Sequence, residues 1–164
     1  MTPAIVHART CGIAFKLHEL PTSEGDQNTA SVSSVEAVEA SGLPVERVYK
    51  TLVAKLDGAE LVIAVVPIAC QLDLKQLAAV TSSRRASLAH PEEAERATGY
   101  KPGAISPLGQ RQRLPVVIDE SAFAMRSIYV SGGREGLEIE LEADALRKMC
   151  DGCCARVAKS VARA

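Results

Sequence analysis

A chain of 164 residues, 47% of them apolar and 24% charged, is long enough for one substantial core without disulfide staples. A formal net charge of -1 excludes a general electrostatic grip on a phosphate backbone, and three Tyr, two Phe and no Trp leave little for a base-stacking platform. No run of 18 apolar residues and no basic-then-apolar leader is present, so a cytoplasmic location without membrane attachment is expected. The odd count of five cysteines fits reduced thiols.

In chain order, a helix is expected over 2–11, with Pro3 in its first turn, then a short strand over 15–18. Residues 21–34, rich in Ser, Thr, Gly, Asp, Asn and Gln, predict a loop. A helix over 34–40 stops at Gly42 and Pro44. Strands over 47–56 and 60–67 meet at Asp57-Gly58, a hairpin signal. The second is apolar on both faces and is expected to be central. On the first, alternation places Val48, Lys50, Leu52, Ala54 and Leu56 on one face, where Lys50 is the single charge. An ammonium there either snorkels to solvent or has a partner or a task.

Further on, a helix over 72–80, a strand over 85–88 and a helix over 91–97 with glutamates at its start are expected. A long loop follows from Thr98 to Gly109, then strands over 116–119 and 127–131. A Gly132-Gly133-Arg134-Glu135-Gly136 turn leads to a strand over 137–141. It puts Leu137, Ile139 and Leu141 on one face and Glu138, Glu140 and Glu142 on the other. A helix from 143 past 149 ends the pattern, so the chain is expected to be one mixed α/β domain.

The chemistry-bearing motifs are few. No G-x-S-x-G elbow, P-loop or dinucleotide fingerprint is present. His7 and His90 have the surroundings of surface positions, whereas His18 ends a strand and could line a pocket. Cys150-x-x-Cys153-Cys154 is half of a zinc pattern, without a second ligand pair at a recognisable spacing. Neither metal nor cofactor is expected, and thiol redox chemistry suits the motif better than metal binding. What remains is a pocket kit without a strong nucleophile. Gly99, Gly103 and Gly109 allow close backbone approach, Lys50 adds charge, and Thr51, Ser131 and Glu138 add hydrogen bonds. Such a set can cleave an activated acyl group, above all where the substrate brings its own nucleophile.

Six motifs occur in order: Met1-Thr2-Pro3-Ala4, Val48-Tyr49-Lys50-Thr51-Leu52, Gln71-Leu72-Asp73-Leu74-Lys75, Thr98-Gly99-Tyr100, Gly103-Ala104-Ile105-Ser106-Pro107-Leu108-Gly109 and Ile128-Tyr129-Val130-Ser131-Gly132-Gly133. Together they resemble the YbaK (EbsC) family of free-standing aminoacyl-tRNA editing proteins, over residues 1 to about 150. The resemblance implies a mixed α/β domain around a strongly bent, largely antiparallel sheet. It implies an enzyme that deacylates Cys-tRNA(Pro), with Cys-tRNA(Cys) a further substrate, in transient complex with prolyl-tRNA synthetase. It assigns catalysis to Lys50 and substrate binding to Thr51, to the loop Gly103, Ala104, Ile105, Ser106 and Pro107, and to Ser131, Glu138 and Leu20. The implied chemistry is attack by the substrate's own cysteine thiol on its ester, giving a thiolactone.

The chain departs from that pattern in three places. Leu20 and, approximately, Ser33 stand where relatives carry aromatics, and Glu138 stands for an aspartate. These changes motivate an alternative, the same fold clearing alanine from tRNA(Pro). The near-neutral charge motivates another, a non-catalytic module that binds tRNA or a synthetase.

Overall fold

The computed structural model describes residues 1–20 and 35–161. Helix α1 (Pro3–Thr10) begins where the Thr2 hydroxyl accepts the Ile5 N–H and ends at Cys11. Strand β1 (Lys16–Glu19) and helix α2 (Val35–Ser41) follow, and the expected 21–34 loop lies outside the described residues. A short 3-10 turn (Val45–Arg47) leads into β2 (Tyr49–Leu56), which forms a hairpin with β3 (Glu60–Pro67). Asp57 and Gly58 both take positive φ, 51° and 71°, in the tight turn that joins Leu56 to Glu60.

Strand β4 (Cys70–Leu72) occupies the start of the stretch expected to be helical. Asp73 then caps α3 (Leu74–Val80) by accepting the Gln76 N–H, which moves the helix start two residues on. Next come β5 (Ala86–Leu88), α4 (Pro91–Thr98), β6 (Val116–Asp119), a 3-10 turn (Glu120–Ala124), β7 (Ile128–Ser131), β8 (Leu137–Leu141) and α5 (Ala143–Cys150). Two strands without a sequence signal close the described chain, β9 (Cys153–Ala155) and β10 (Ala158–Ser160).

The fold is mixed α/β. Its strands form three sheets, ordered β5-β2-β3-β6-β9, β1-β8-β7 and β10-β4. Pairing is antiparallel except between β3 and β6 and between β6 and β9. A bridge from Val48 to Tyr129 joins the entrance of β2 to β7, so the two larger sheets meet two residues before Lys50. β3 is central, as its two apolar faces demand. Ile63 and Val65 enter one core with Ile118, Ile128, Val130 and Ile139, while Val62, Ala64 and Val66 enter another with Leu77 and Val117.

The C-terminal strands are held by one buried side chain. Asp119 Oδ1 accepts the N–H groups of Val157 (3.0 Å) and Ala158 (2.9 Å). Its Oδ2 accepts the Ser121 hydroxyl at 2.5 Å, and the Tyr49 hydroxyl reaches Ser121 at 2.7 Å. Burial alone would raise the Asp119 pKa; the hydroxyl of Ser121 and the backbone donors together bring it below its ordinary value. Among the described residues no helix is long and apolar enough to cross a membrane, and no group of three or more His, Cys, Asp and Glu is placed to hold a metal ion.

Candidate functional site

A cavity of about 310 Å³ opens where β2, β7, β8, the start of α4 and the 99–109 loop converge. Its apolar wall includes Leu52, Val53, Ile68, Leu88, Pro91 and Ile105; its polar contributors are Lys50, Thr51, Ser131 and Glu138. Of the ten candidate residues, it gathers Lys50, Thr51, Gly103, Ile105, Ser131 and Glu138.

The other four stand apart. Ala104 is buried and contributes its carbonyl, which accepts the Ser131 hydroxyl at 3.1 Å. Ser106 is fully buried, and its hydroxyl oxygen accepts the Leu108 N–H, so it shapes the loop. Pro107 faces a second cavity of about 340 Å³ behind the loop. Leu20 does not line the site; its N–H donates to the Gly136 carbonyl at 2.6 Å. Ser33 lies outside the described residues.

Lys50 sits opposite Val66 in the β2–β3 ladder, half-buried and without an ion pair among the described residues. Burial lowers its pKa below the ordinary lysine value, an effect partly opposed by the neighbouring Cys70 thiol. Thr51 is 8% exposed, and its Oγ1 has no hydrogen-bond partner among the described residues. The proton of the Ser131 hydroxyl is committed to Ala104, and its oxygen accepts the Gly133 N–H at 3.1 Å. That serine ties the loop to β7 and is not a free nucleophile.

The loop is braced from behind. The Tyr100 hydroxyl spans it to the Leu108 carbonyl at 2.6 Å, and the Gly109 N–H donates to His7 Nδ1 at 2.9 Å. A Cβ on Gly109 would stand 2.4 Å from the Pro3 backbone, so only glycine lets α1 approach this closely. The Cys150 thiol donates to the Pro107 carbonyl at 3.3 Å. His7 is therefore a half-buried anchor of the loop, not the surface histidine its local sequence predicts. The contact crosses a separation of 102 residues and leaves no local signal. Held this way, the N–H groups of Gly103 and Ile105 make no hydrogen bond within the described residues.

Glu138 and Glu140 share one face of β8 and differ completely. The Ser127 hydroxyl (2.5 Å), His18 Nε2 (3.0 Å) and Arg47 (3.0 Å) surround Glu140. The Ser127 bond foremost, they hold its pKa down to about 2. His18 is spent in this network, with its ring also against Tyr129, and does not line the cavity. Glu138 stands opposite Ser131 and His18, is 6% exposed, and its Oε2 has no partner among the described residues. Burial pushes its pKa up to about 8, so at neutral pH the empty site holds mainly the neutral acid.

A stability consequence follows from the sign of that shift. The native state keeps a proton that the unfolded chain releases above its ordinary value of 4.5. The contribution is thus fully present below pH 4.5 and is lost as pH rises through about 8. The slope is at most about 1.4 kcal/mol per pH unit. Glu138→Gln abolishes this slope, so its Tm relative to the parent is expected to rise between pH 5 and 8. Parallel Tm–pH curves for the two proteins would contradict a buried neutral acid.

Residues 28–149 match the family model described as "Aminoacyl-tRNA editing domain". The chain is 32% identical over 145 residues, 88% of its length and 85% of the other's, to an Enterococcus faecalis protein provisionally named Cys-tRNA(Pro)/Cys-tRNA(Cys) deacylase EbsC. It is 37% identical over 97 residues, 57% of its length and 58% of the other's, to the Escherichia coli K12 protein named Multifunctional Ser/Thr-tRNA deacylase ProXp-y. Among solved structures, a hypothetical protein superposes with a TM-score of 0.84 at 19% identity, over 96% of this chain and all of the other. One described provisionally as a trans-editing enzyme for prolyl-tRNA synthetase superposes with a TM-score of 0.80 at 23% identity, over 98% of this chain and 99% of the other.

Proposed function

The chain belongs to the aminoacyl-tRNA editing domain family, and from that premise we propose that it is a trans-acting aminoacyl-tRNA deacylase that clears cysteine from tRNA(Pro). One editing domain spanning residues 1–164 would carry the activity in the cytoplasm, in transient complex with prolyl-tRNA synthetase. The observation that carries the reading is a cavity rich in orienting groups and poor in nucleophiles. Lys50 has no ion pair to hold it, and the Gly103 and Ile105 N–H groups are unpaired within the described residues, so both can stabilise a developing oxyanion.

No histidine and no cysteine lines the cavity among the described residues, and the Ser131 proton is engaged. This poverty of protein nucleophiles favours attack by a group on the substrate over attack by the protein. In a cysteinyl ester the thiolate sulfur attacks the carbonyl carbon and the bond to the terminal ribose oxygen breaks. That oxygen takes up the proton the thiol released, leaving a thiolactone.

A second reading has a specific motive, the relative named for Ser/Thr-tRNA deacylation, and would have the site clear hydroxyl amino acids. The deciding experiment charges tRNA(Pro) with cysteine, alanine, serine, threonine or proline and measures release with and without prolyl-tRNA synthetase. Cysteine is expected to leave at least about tenfold faster than the others, and the synthetase to raise the rate. Faster release of serine or threonine would establish the second reading, and faster release of alanine a third specificity. Tight tRNA binding with no release at all would establish a binding module.

A further inference from the structure

A net charge of -1 gives this protein no general hold on nucleic acid, so a tRNA has to be gripped by local cations. A groove of about 490 Å³ supplies two of them, Arg156 and Lys159. Both are exposed, and neither makes an ion pair among the described residues. They follow residue 149, where the match to the editing-domain model ends, and the site described above leaves them unused.

The two cations are mounted on ordered backbone. Val157, between them, is fully buried, and Asp119 accepts the N–H groups of Val157 and Ala158. Lys159 stands opposite Gln71 in the β10–β4 ladder. Long side chains on a fixed backbone lose less freedom on meeting an anion than the same chains on a free one. The two carboxylates that share the groove do not cancel them. Asp119 is buried with four donors on its oxygens, and Glu120 is exposed, where salt screens its charge.

The groove adjoins the cavity of the candidate site. Tyr49 lines the cavity, and its hydroxyl meets that of Ser121, which lines the groove, at 2.7 Å. Ile68 lines the cavity, and its chain neighbour Pro67 lines the groove. Cys70, in the groove, is close enough to Lys50, in the cavity, to act on its charge. An aminoacyl ester seated in the cavity is the end of a polyanionic single strand. A cationic groove one side chain away is placed to take the first phosphates of that strand.

We propose that Arg156 and Lys159 hold the phosphodiester backbone of the tRNA's single-stranded 3′ end as it leaves the cavity. The inference rests on the deacylase reading and adds to it a contact surface outside the family match. An acidic surface of a protein partner is the competing occupant. Nucleic acid is favoured because the groove continues the cavity in which the tRNA's own terminus would sit.

The test measures binding of uncharged tRNA(Pro) by fluorescence anisotropy between about 50 and about 300 mM KCl. In the double variant Arg156→Ala/Lys159→Ala, affinity is expected to fall about fivefold to fiftyfold at the lowest salt. The slope of log Kd against log salt is expected to shrink by about 1.4, the share of two single-strand phosphates. Arg9→Ala/Lys16→Ala removes as much charge from exposed positions on α1 and β1 and is expected to keep the parent's slope. Glu120→Gln is expected to bind more tightly than the parent. Circular dichroism and Tm show that each variant is folded. An unchanged slope in the first double variant, an equal loss in the second, weaker binding by Glu120→Gln, or no measurable binding by the parent would overturn the inference. So would intact tRNA affinity with loss of stimulation by prolyl-tRNA synthetase, which would give the groove to a protein partner. Release of cysteine from Cys-tRNA(Pro) is measured on the same preparations. The expected loss of slope, in a protein whose parent releases no amino acid, supports the groove and refutes the deacylase reading. A parent that releases cysteine, beside a first double variant with the parent's slope, does the opposite.

Discussion

Replacing Lys50 with alanine is expected to lower release of cysteine from Cys-tRNA(Pro) by at least about a hundredfold, the usual cost of deleting a preorganised group that stabilises developing charge in a water-poor site. Fold stability is expected to change little. Lys50 is half-buried, makes no ion pair within the described residues, and carries a charge whose burial already lowers its pKa. Removing it strands no partner, unlike removal of one member of a buried pair. The depressed pKa adds a second signature: the alkaline limb of the pH–rate profile is expected to fall below the range of an ordinary lysine. Lys50→Arg is not a conservative control, because a forked guanidinium cannot occupy the place of a compact ammonium without moving the walls. Single-turnover release of labelled cysteine, beside a Tm measurement, decides the matter. A folded Lys50→Ala protein within threefold of the parent would remove Lys50 from the mechanism.

Much of this was legible because its causes are local. Alternation from 48 to 56 is enough to place Lys50 on an apolar strand face, and Asp57-Gly58 is enough to turn the chain. The apolar run in β3 predicts a central strand for the same reason. What local pattern missed depends on contacts far apart in sequence. Strands β9 and β10 are three residues each and pair with β6 and β4, far away in sequence, while Asp119, 38 and 39 residues earlier, accepts the N–H groups of Val157 and Ala158. Alternation sets Glu138 on the polar face of its strand. It cannot say that this end of the face is roofed into a cavity while Glu140, two residues on, meets Ser127, His18 and Arg47. Pro107 lies in the same motif as Gly103 but turns to the opposite side of the loop, because Tyr100, His7 and Cys150 hold the loop from behind.

Exchanging sulfur for oxygen in the substrate is expected to have an effect as large as deleting Lys50. A thiol is a few per cent ionised at pH 7 and strongly nucleophilic in that form, whereas a serine hydroxyl needs a base to reach comparable reactivity. No histidine lines the cavity among the described residues, His7 and His18 being engaged elsewhere, and burial keeps Glu138 mainly protonated in the empty site. Ser-tRNA(Pro) is therefore expected to react at least about a hundredfold more slowly than Cys-tRNA(Pro). The complementary change, each of the protein's own cysteines to serine, is expected to leave turnover intact. Cys11, Cys153 and Cys154 are exposed and outside the cavity, and burial pushes the Cys150 thiol up to about 12, where it is a poor nucleophile. Cys70 is the demanding case, since it lies close enough to Lys50 to affect that residue's charge without lining the cavity. If Cys70→Ser were folded and inactive, the nucleophile would belong to the protein. If it kept its rate while the serine ester stalled, the substrate's own thiol would be the attacking group.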